Sequence, residues 1–138
     1  MNPILRNVLA VIAGLIVGSL VNSSLIMISG FVIPLPEGAD TSTTEGLQAV
    51  ILLYEPKHFL FPFLAHAFGT LVGAFVAAKI SPNNGFKLAM VVGLFYLVAG
   101  IYMVIILPSP LWFDILDLAI AYLPMAYLGW LLAKKKTA

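Results

Sequence analysis

Apolar positions in this chain form long unbroken runs rather than the 3.6- or 2-residue alternation of half-buried soluble helices and strands. Val8–Ile33, Phe59–Ala78 and Leu88–Leu107 hold no Asp, Glu, Lys or Arg over 26, 20 and 20 positions. A helix needs roughly 20 such residues to cross a ~30 Å hydrocarbon layer. A fourth run, Leu111–Ala133, carries Asp114 and Asp117 near its start, is free of charge from Leu118, and is closed by Lys134, Lys135 and Lys136. Trp112 and Trp130 bracket it, about 27 Å apart along a helix, the spacing of two interfacial belts. The pattern predicts an all-α fold, a four-helix transmembrane bundle in one domain over 1–138, with spans at about 8–33, 59–78, 88–107 and 111–133.

The connections refine this picture. Ser81–Phe86 and Pro108-Ser109-Pro110 are tight turns, so the spans they join are antiparallel neighbours. The loop 34–58 is longer. There Ser42 and Glu45 have capping-box spacing, and Leu47, Val50, Ile51 and Tyr54 follow at i, i+3, i+4 and i+7 before Pro56. A short amphipathic helix over about 43–55 is expected, lying on the membrane surface and covering the bundle.

Composition excludes the alternatives. The chain is 62% apolar and 9% charged, with a mean hydropathy of +1.07 and a net charge of +1, which fits neither a soluble core nor disorder. Cysteine is absent, which excludes disulfides and thiolate chemistry. Arg6 before the first run suggests a signal peptide, but the run is about twice a usual h-region and reads as a retained first span. Arg6, Lys79, Lys87 and Lys134–Lys136 fall at one end of a four-span hairpin pair and only Lys57 at the other. The positive-inside rule then places both termini in the cytoplasm. The six carboxylates lie on or near the outer side, which is the periplasm or exterior if the source is bacterial.

Two spans share an echo. Gly14-x-x-Val17-Gly18-x-x-Val21 and Gly69-x-x-Val72-Gly73-x-x-Val76 each carry a GxxxG-type surface of small residues, and such grooves let helices approach where lipid supplies no hydrophobic drive. Antiparallel packing with Gly14 opposite Gly73 puts Gly18 opposite Gly69, and one turn further outward Asn22 opposite His66. Gly129 has no such partner in this register.

Counted inward along their helices, His66 lies ~12 Å from the outer end of its span, Asp117 ~10 Å and Asp114 ~6 Å. Asn22, Ser23 and Ser24 reach a similar level. A carboxylate in hydrocarbon is costly without a partner, and the imidazole of His66 is the one available to Asp117, as hydrogen-bonded glue or as a proton relay. Asp114 and Asp117 share a helix face, but the shallower Asp114 also suits a helix cap or contact with interfacial water. A metal held by His58, His66, Asp114 and Asp117 is a sharper alternative without diagnostic spacing; neither a metal nor a cofactor is expected. Glu55-Pro56-Lys57-His58 reads as an interfacial anchor. No phosphate loop, dinucleotide fingerprint, zinc helix or nucleophile elbow occurs, so nothing identifies an enzyme, and the basic residues form no nucleic-acid patch.

The stretch Glu55-Pro-Lys-His-Phe-Leu-Phe-Pro-Phe-Leu-Ala-His66-Ala-Phe-Gly-Thr-Leu-Val-Gly73, with Pro108-Ser-Pro-Leu-Trp-Phe-Asp114, resembles a family of small, uncharacterised bacterial four-span integral membrane proteins without an assigned activity. The resemblance implies a helical bundle in a bacterial inner membrane and transfers no functional residue. Two functions compete. One is an outward-facing polar pocket for a small solute, ion or proton, using Asn22, His66, Asp114 and Asp117. The other is an accessory or assembly subunit that docks another membrane protein through its glycine-rich faces. Partners beyond the lipid bilayer are then a homo-oligomer or a larger membrane complex, since four spans enclose little volume.

Overall fold

A computed structural model describes residues 2–134; Lys135 and Lys136 of the basic closing run lie outside the described residues. The helices are α1 (Pro3–Val32), α2 (Thr44–Ile51), α3 (Leu60–Ile80), α4 (Gly85–Ile106), α5 (Leu111–Ile120) and α6 (Leu123–Ala133), with a 3₁₀ turn at Pro56–Phe59. Four segments are long and apolar enough to cross a membrane: α1, the 3₁₀ turn with α3, α4, and α5 with α6. No strand occurs among the described residues. At its N-terminus α1 outruns the uncharged stretch because a polar flank caps it. Thus α1 begins at Pro3, where Asn2 Oδ1 accepts the Ile4 N–H at 2.9 Å.

Both described ends of the chain lie at one end of the bundle, here the basic end. There Arg6 Nε donates to the Ile80 carbonyl at 2.8 Å, giving the α3 C-terminus a cationic cap. Lys134 stands 4.1 Å from the Trp130 ring centroid. The opposite end, the lid end, carries α2.

Small residues make the core. Val92 and Thr70 are the largest fully buried side chains, and Ala10, Ala74, Ala77, Ala89 and Ala126 are wholly buried, while Phe31, Ile105 and Leu111 are 91%, 76% and 73% exposed. A water-soluble bundle does the reverse. In lipid the large apolar groups gain nothing by turning inward, and close backbone approach through small residues supplies the contact energy. Helix α3 is the hub, packing on α1, α4 and α6.

The α1–α3 seam has the register read from the glycines. A Cβ placed on Gly14 would stand 2.5 Å from the Gly73 carbonyl oxygen, one on Gly18 2.5 Å from that of Gly69, and one on Gly73 2.6 Å from that of Gly14. The expectation for Gly129 is corrected. A Cβ there would run into the Leu71 carbonyl and stand 3.0 Å from the Phe75 nitrogen, so α6 meets α3 through a glycine of its own, outside the shared motif.

The lid helix also differs from expectation. It covers 44–51 rather than 43–55, and its cap is Thr43, whose Oγ1 accepts the Gly46 N–H at 3.0 Å. Ser42 is unavailable because its hydroxyl and N–H both donate to Asp40 Oδ1, at 2.6 and 2.9 Å, holding that carboxyl below its ordinary value. The buried face of α2, with Ile51, joins Phe59 and Phe113, and Tyr54 packs on that cluster from the following turn. Gln48 Nε2 donates to the Ile106 carbonyl at 2.7 Å, which ties the lid to an orphan carbonyl at the end of α4.

The fourth span is broken, where an unbroken helix was expected. Pro124 has no N–H for the Ile120 carbonyl, and Tyr122 takes φ −113°, ψ −83°, outside the helical region, before Ala126 N–H to Tyr122 O at 2.8 Å resumes the ladder.

Candidate functional site

Polar groups from separate helices meet in the lid-end half. His66 belongs to the second turn of α3, where Ala65, Gly69 and Gly73 keep neighbouring backbones close. Asp117 is on α5, buried and within reach: His66 Nδ1 is 2.9 Å from both carboxylate oxygens. A carboxylate oxygen accepts, so the ring presents Nδ1–H to Asp117. The imidazole's other nitrogen, Nε2, hydrogen-bonds to no protein group among the described residues. His66 is 28% exposed at its side chain against 5% for Asp117, so the carboxylate forms the back of the site and the ring its front.

The third member is Tyr122 rather than Asn22. Its hydroxyl donates to Asp117 Oδ2 at 2.8 Å, and its ring stacks on that of His66 at 5.7 Å between centroids. Two features of other residues put it there. The break before Pro124 turns Tyr122 back toward Asp117, five positions earlier. Gly100 on α4 leaves room, since a Cβ there would lie 2.6 Å from the Tyr122 hydroxyl. Sequence reading passed over both residues; the available signal was a proline inside an otherwise regular span.

Asn22 occupies the same neighbourhood but bonds to neither His66 nor Asp117 among the described residues; it lines a small pocket beside them. Asp114 shares the buried face with Asp117 and accepts from Ser109 Oγ at 2.5 Å, inside the Pro108–Pro110 turn. It sits in the first turn of α5, where a carboxylate complements the helix dipole, and it does not join His66. His58 lines the same cavity as His66, but its ring is held locally: its Nδ1 accepts the Glu55 N–H at 2.9 Å and its Nε2 stands 3.2 Å from the Pro34 carbonyl. With both its nitrogens so engaged, the four-residue metal set does not converge, and no group of three or more such ligands is found among the described residues. Lys57 and Glu55 pair at 3.2 Å with both side chains exposed.

Over this site lies a cavity of about 570 Å³. His66, Asp117 and Tyr122 form its polar floor, His58, Ser109 and Asp114 also line it, Leu47 and Ile51 of the lid form its roof, and apolar side chains of α1, α3 and α4 most of its walls. The α1–α4 seam is tied below it, where Tyr96 Oη donates to the Leu15 carbonyl at 2.7 Å and lies 3.2 Å from Ser19 Oγ. Toward the lid end Ile26, Met27 and Met103 line the cavity and are themselves 41%, 73% and 37% exposed. The chamber therefore opens sideways between α1 and α4, toward the side where lipid would lie. A volume of this size, mostly apolar with a few convergent polar groups, is that of a small-molecule site. The four motif glycines are consumed within the α1–α3 seam and present no face to another protein. No protein family, no curated protein and no solved structure matches this chain.

Proposed function

We propose that this chain is a multi-pass protein of a bacterial inner membrane that binds a small amphiphilic molecule in its outward half. The polar end of that molecule meets the His66–Asp117–Tyr122 constellation. The observation that carries this reading is the free Nε2 of a histidine whose Nδ1 is fixed on a buried carboxylate, facing a largely apolar chamber with a lateral mouth. Asp117 sets the tautomer, Tyr122 shares its charge, and Nε2 is left as the group that a ligand hydroxyl or amide can address. An apolar tail fits the walls and reaches the chamber from the membrane without crossing water. The lid end faces outward on this reading because the basic residues cluster at the other end.

Native mass spectrometry after mild extraction tests it. A small molecule retained by the native chain and lost from Met103→Trp, which fills the chamber, is the expected result. A co-purifying protein on a chain that carries no small molecule would instead establish the accessory-subunit function.

A further inference from the structure

Beyond the His66 floor lies a second pocket of about 160 Å³. His66, Gly100, Met103 and Tyr122 line both spaces, so the pocket is the chamber's inner extension past the imidazole. Thr70, one turn along α3 from His66, lines it; this residue is 1% exposed and its Oγ1 has no hydrogen-bond partner among the described residues. A helical threonine ordinarily returns its hydroxyl to the carbonyl four residues earlier. Forgoing that bond in a buried place is costly unless another group supplies it. Asn22 lines the same pocket from α1, and no hydrogen bond engages its amide among the described residues. Two elements thus present unused donors and acceptors to one space.

The lining sets the chemistry of the occupant. Hydroxyls of Ser19, Thr70 and Tyr96, the Asn22 amide and the His66 imidazole are its polar groups, and no lysine, arginine or carboxylate lines it. An anionic head finds no cation in this lining, and a cationic head no carboxylate. With Tyr96 and Ser19 already bonded to each other, and Tyr96 to Leu15, a neutral group with several hydroxyls suits the remaining members, Thr70, Asn22 and His66 Nε2. The volume is room for a small polyol head rather than a single water. Passage further is blocked by the Tyr96–Leu15 bond and by the dry layer of Ala74, Ala77 and Val92.

We propose that this pocket is the head-group subsite for a neutral, multiply hydroxylated lipid of the acylglycerol type, its acyl chain lying in the larger chamber. The inference rests on the proposed chamber and narrows its ligand. Thermal unfolding of the delipidated full chain in detergent tests it, with 1-monoolein as probe and methyl oleate (same chain, no hydroxyls) and dioleoyl phosphatidylglycerol (charged head) as comparisons. Monoolein should raise Tm saturably, and more than either comparison. Thr70→Val should weaken its apparent affinity about tenfold, the loss of one good hydrogen bond, whereas Thr70→Ser keeps it. Met103→Trp should abolish the response. If Thr70→Val binds monoolein as the native chain does, or itself unfolds at higher temperature because a useless hydroxyl has gone, the subsite is wrong while a response lost in Met103→Trp leaves the chamber standing. A response to phosphatidylglycerol equal to that of monoolein overturns the neutral-head assignment. Indifference of the native chain to all three lipids sinks the head-group subsite, while the chamber itself stands or falls on the small molecule retained in native mass spectrometry.

Discussion

Asp117 is the residue on which the site depends, because it takes two donors, His66 Nδ1–H and Tyr122 Oη–H, in a place only 3% exposed. Asp117→Ala strands both donors and should cost about 3 kcal/mol, the order seen when one partner of a buried charged hydrogen-bonded pair is removed. Asp117→Asn still accepts from Tyr122 but offers His66 an amide without charge, and about 1 to 2 kcal/mol is expected. Reversible unfolding in mixed detergent micelles measures both; an unchanged midpoint for Asp117→Ala would show that the pair holds nothing together. The pair was legible in the sequence because a polar group in an apolar run must find a partner, and counting along two helices brought His66 and Asp117 to about the same depth. Tyr122 was not legible. In an unbroken helix, positions five apart point about 140° away from each other, so only the break before Pro124 lets Tyr122 reach back to Asp117.

At the scale of elements, the glycine register is the feature with the sharpest energetic consequence. A Cβ on Gly69 would stand 2.9 Å from the Gly18 carbonyl oxygen and 3.1 Å from Asn22 Cβ, whereas one on Gly30, near the far end of α1, meets nothing within 4 Å. Backbone cannot yield as a side-chain tip can, so Gly69→Ile should destabilise by about 3 kcal/mol or prevent folding. Gly30→Ile should change stability by less than about 1 kcal/mol. Comparable losses at the two sites in thermal unfolding would contradict the seam. Gly129, facing the Leu71 carbonyl, belongs with Gly69 and is no control. This seam could be read in advance because two identical spacings on antiparallel helices fix a register by themselves. The α3–α6 seam could not, since a lone glycine carries no register. The lid shows a similar limit: periodicity located it, but the competition of Asp40 for Ser42 moved its cap by one residue. The chain's departure from helix after Ile51 ended it before the periodic pattern did.

For the whole molecule, function turns on which way the bundle faces. Arg6, Lys79, Lys87 and Lys134 lie at the end opposite the lid, while Glu37, Asp40, Glu45, Glu55 and Lys57 lie beside it. Lysine and arginine resist translocation and carboxylates matter little, so the proposed orientation puts the lid, the chamber mouth and His66 in the outward half and the Ser81–Asn84 turn in the cytoplasm. A chain without cysteine permits a direct test. In intact cells a membrane-impermeant maleimide should label Thr44→Cys, at the exposed start of the lid helix, and should spare Asn84→Cys until the membrane is permeabilised. The reverse result would turn the chamber mouth toward the inner leaflet. The His66–Asp117–Tyr122 geometry would survive that result, but the ligand would then be drawn from lipid or solutes on the cytoplasmic side. Orientation therefore decides the source of the ligand independently of its chemistry, and the labelling pattern and the lipid response of Thr70→Val address separate halves of the proposed function.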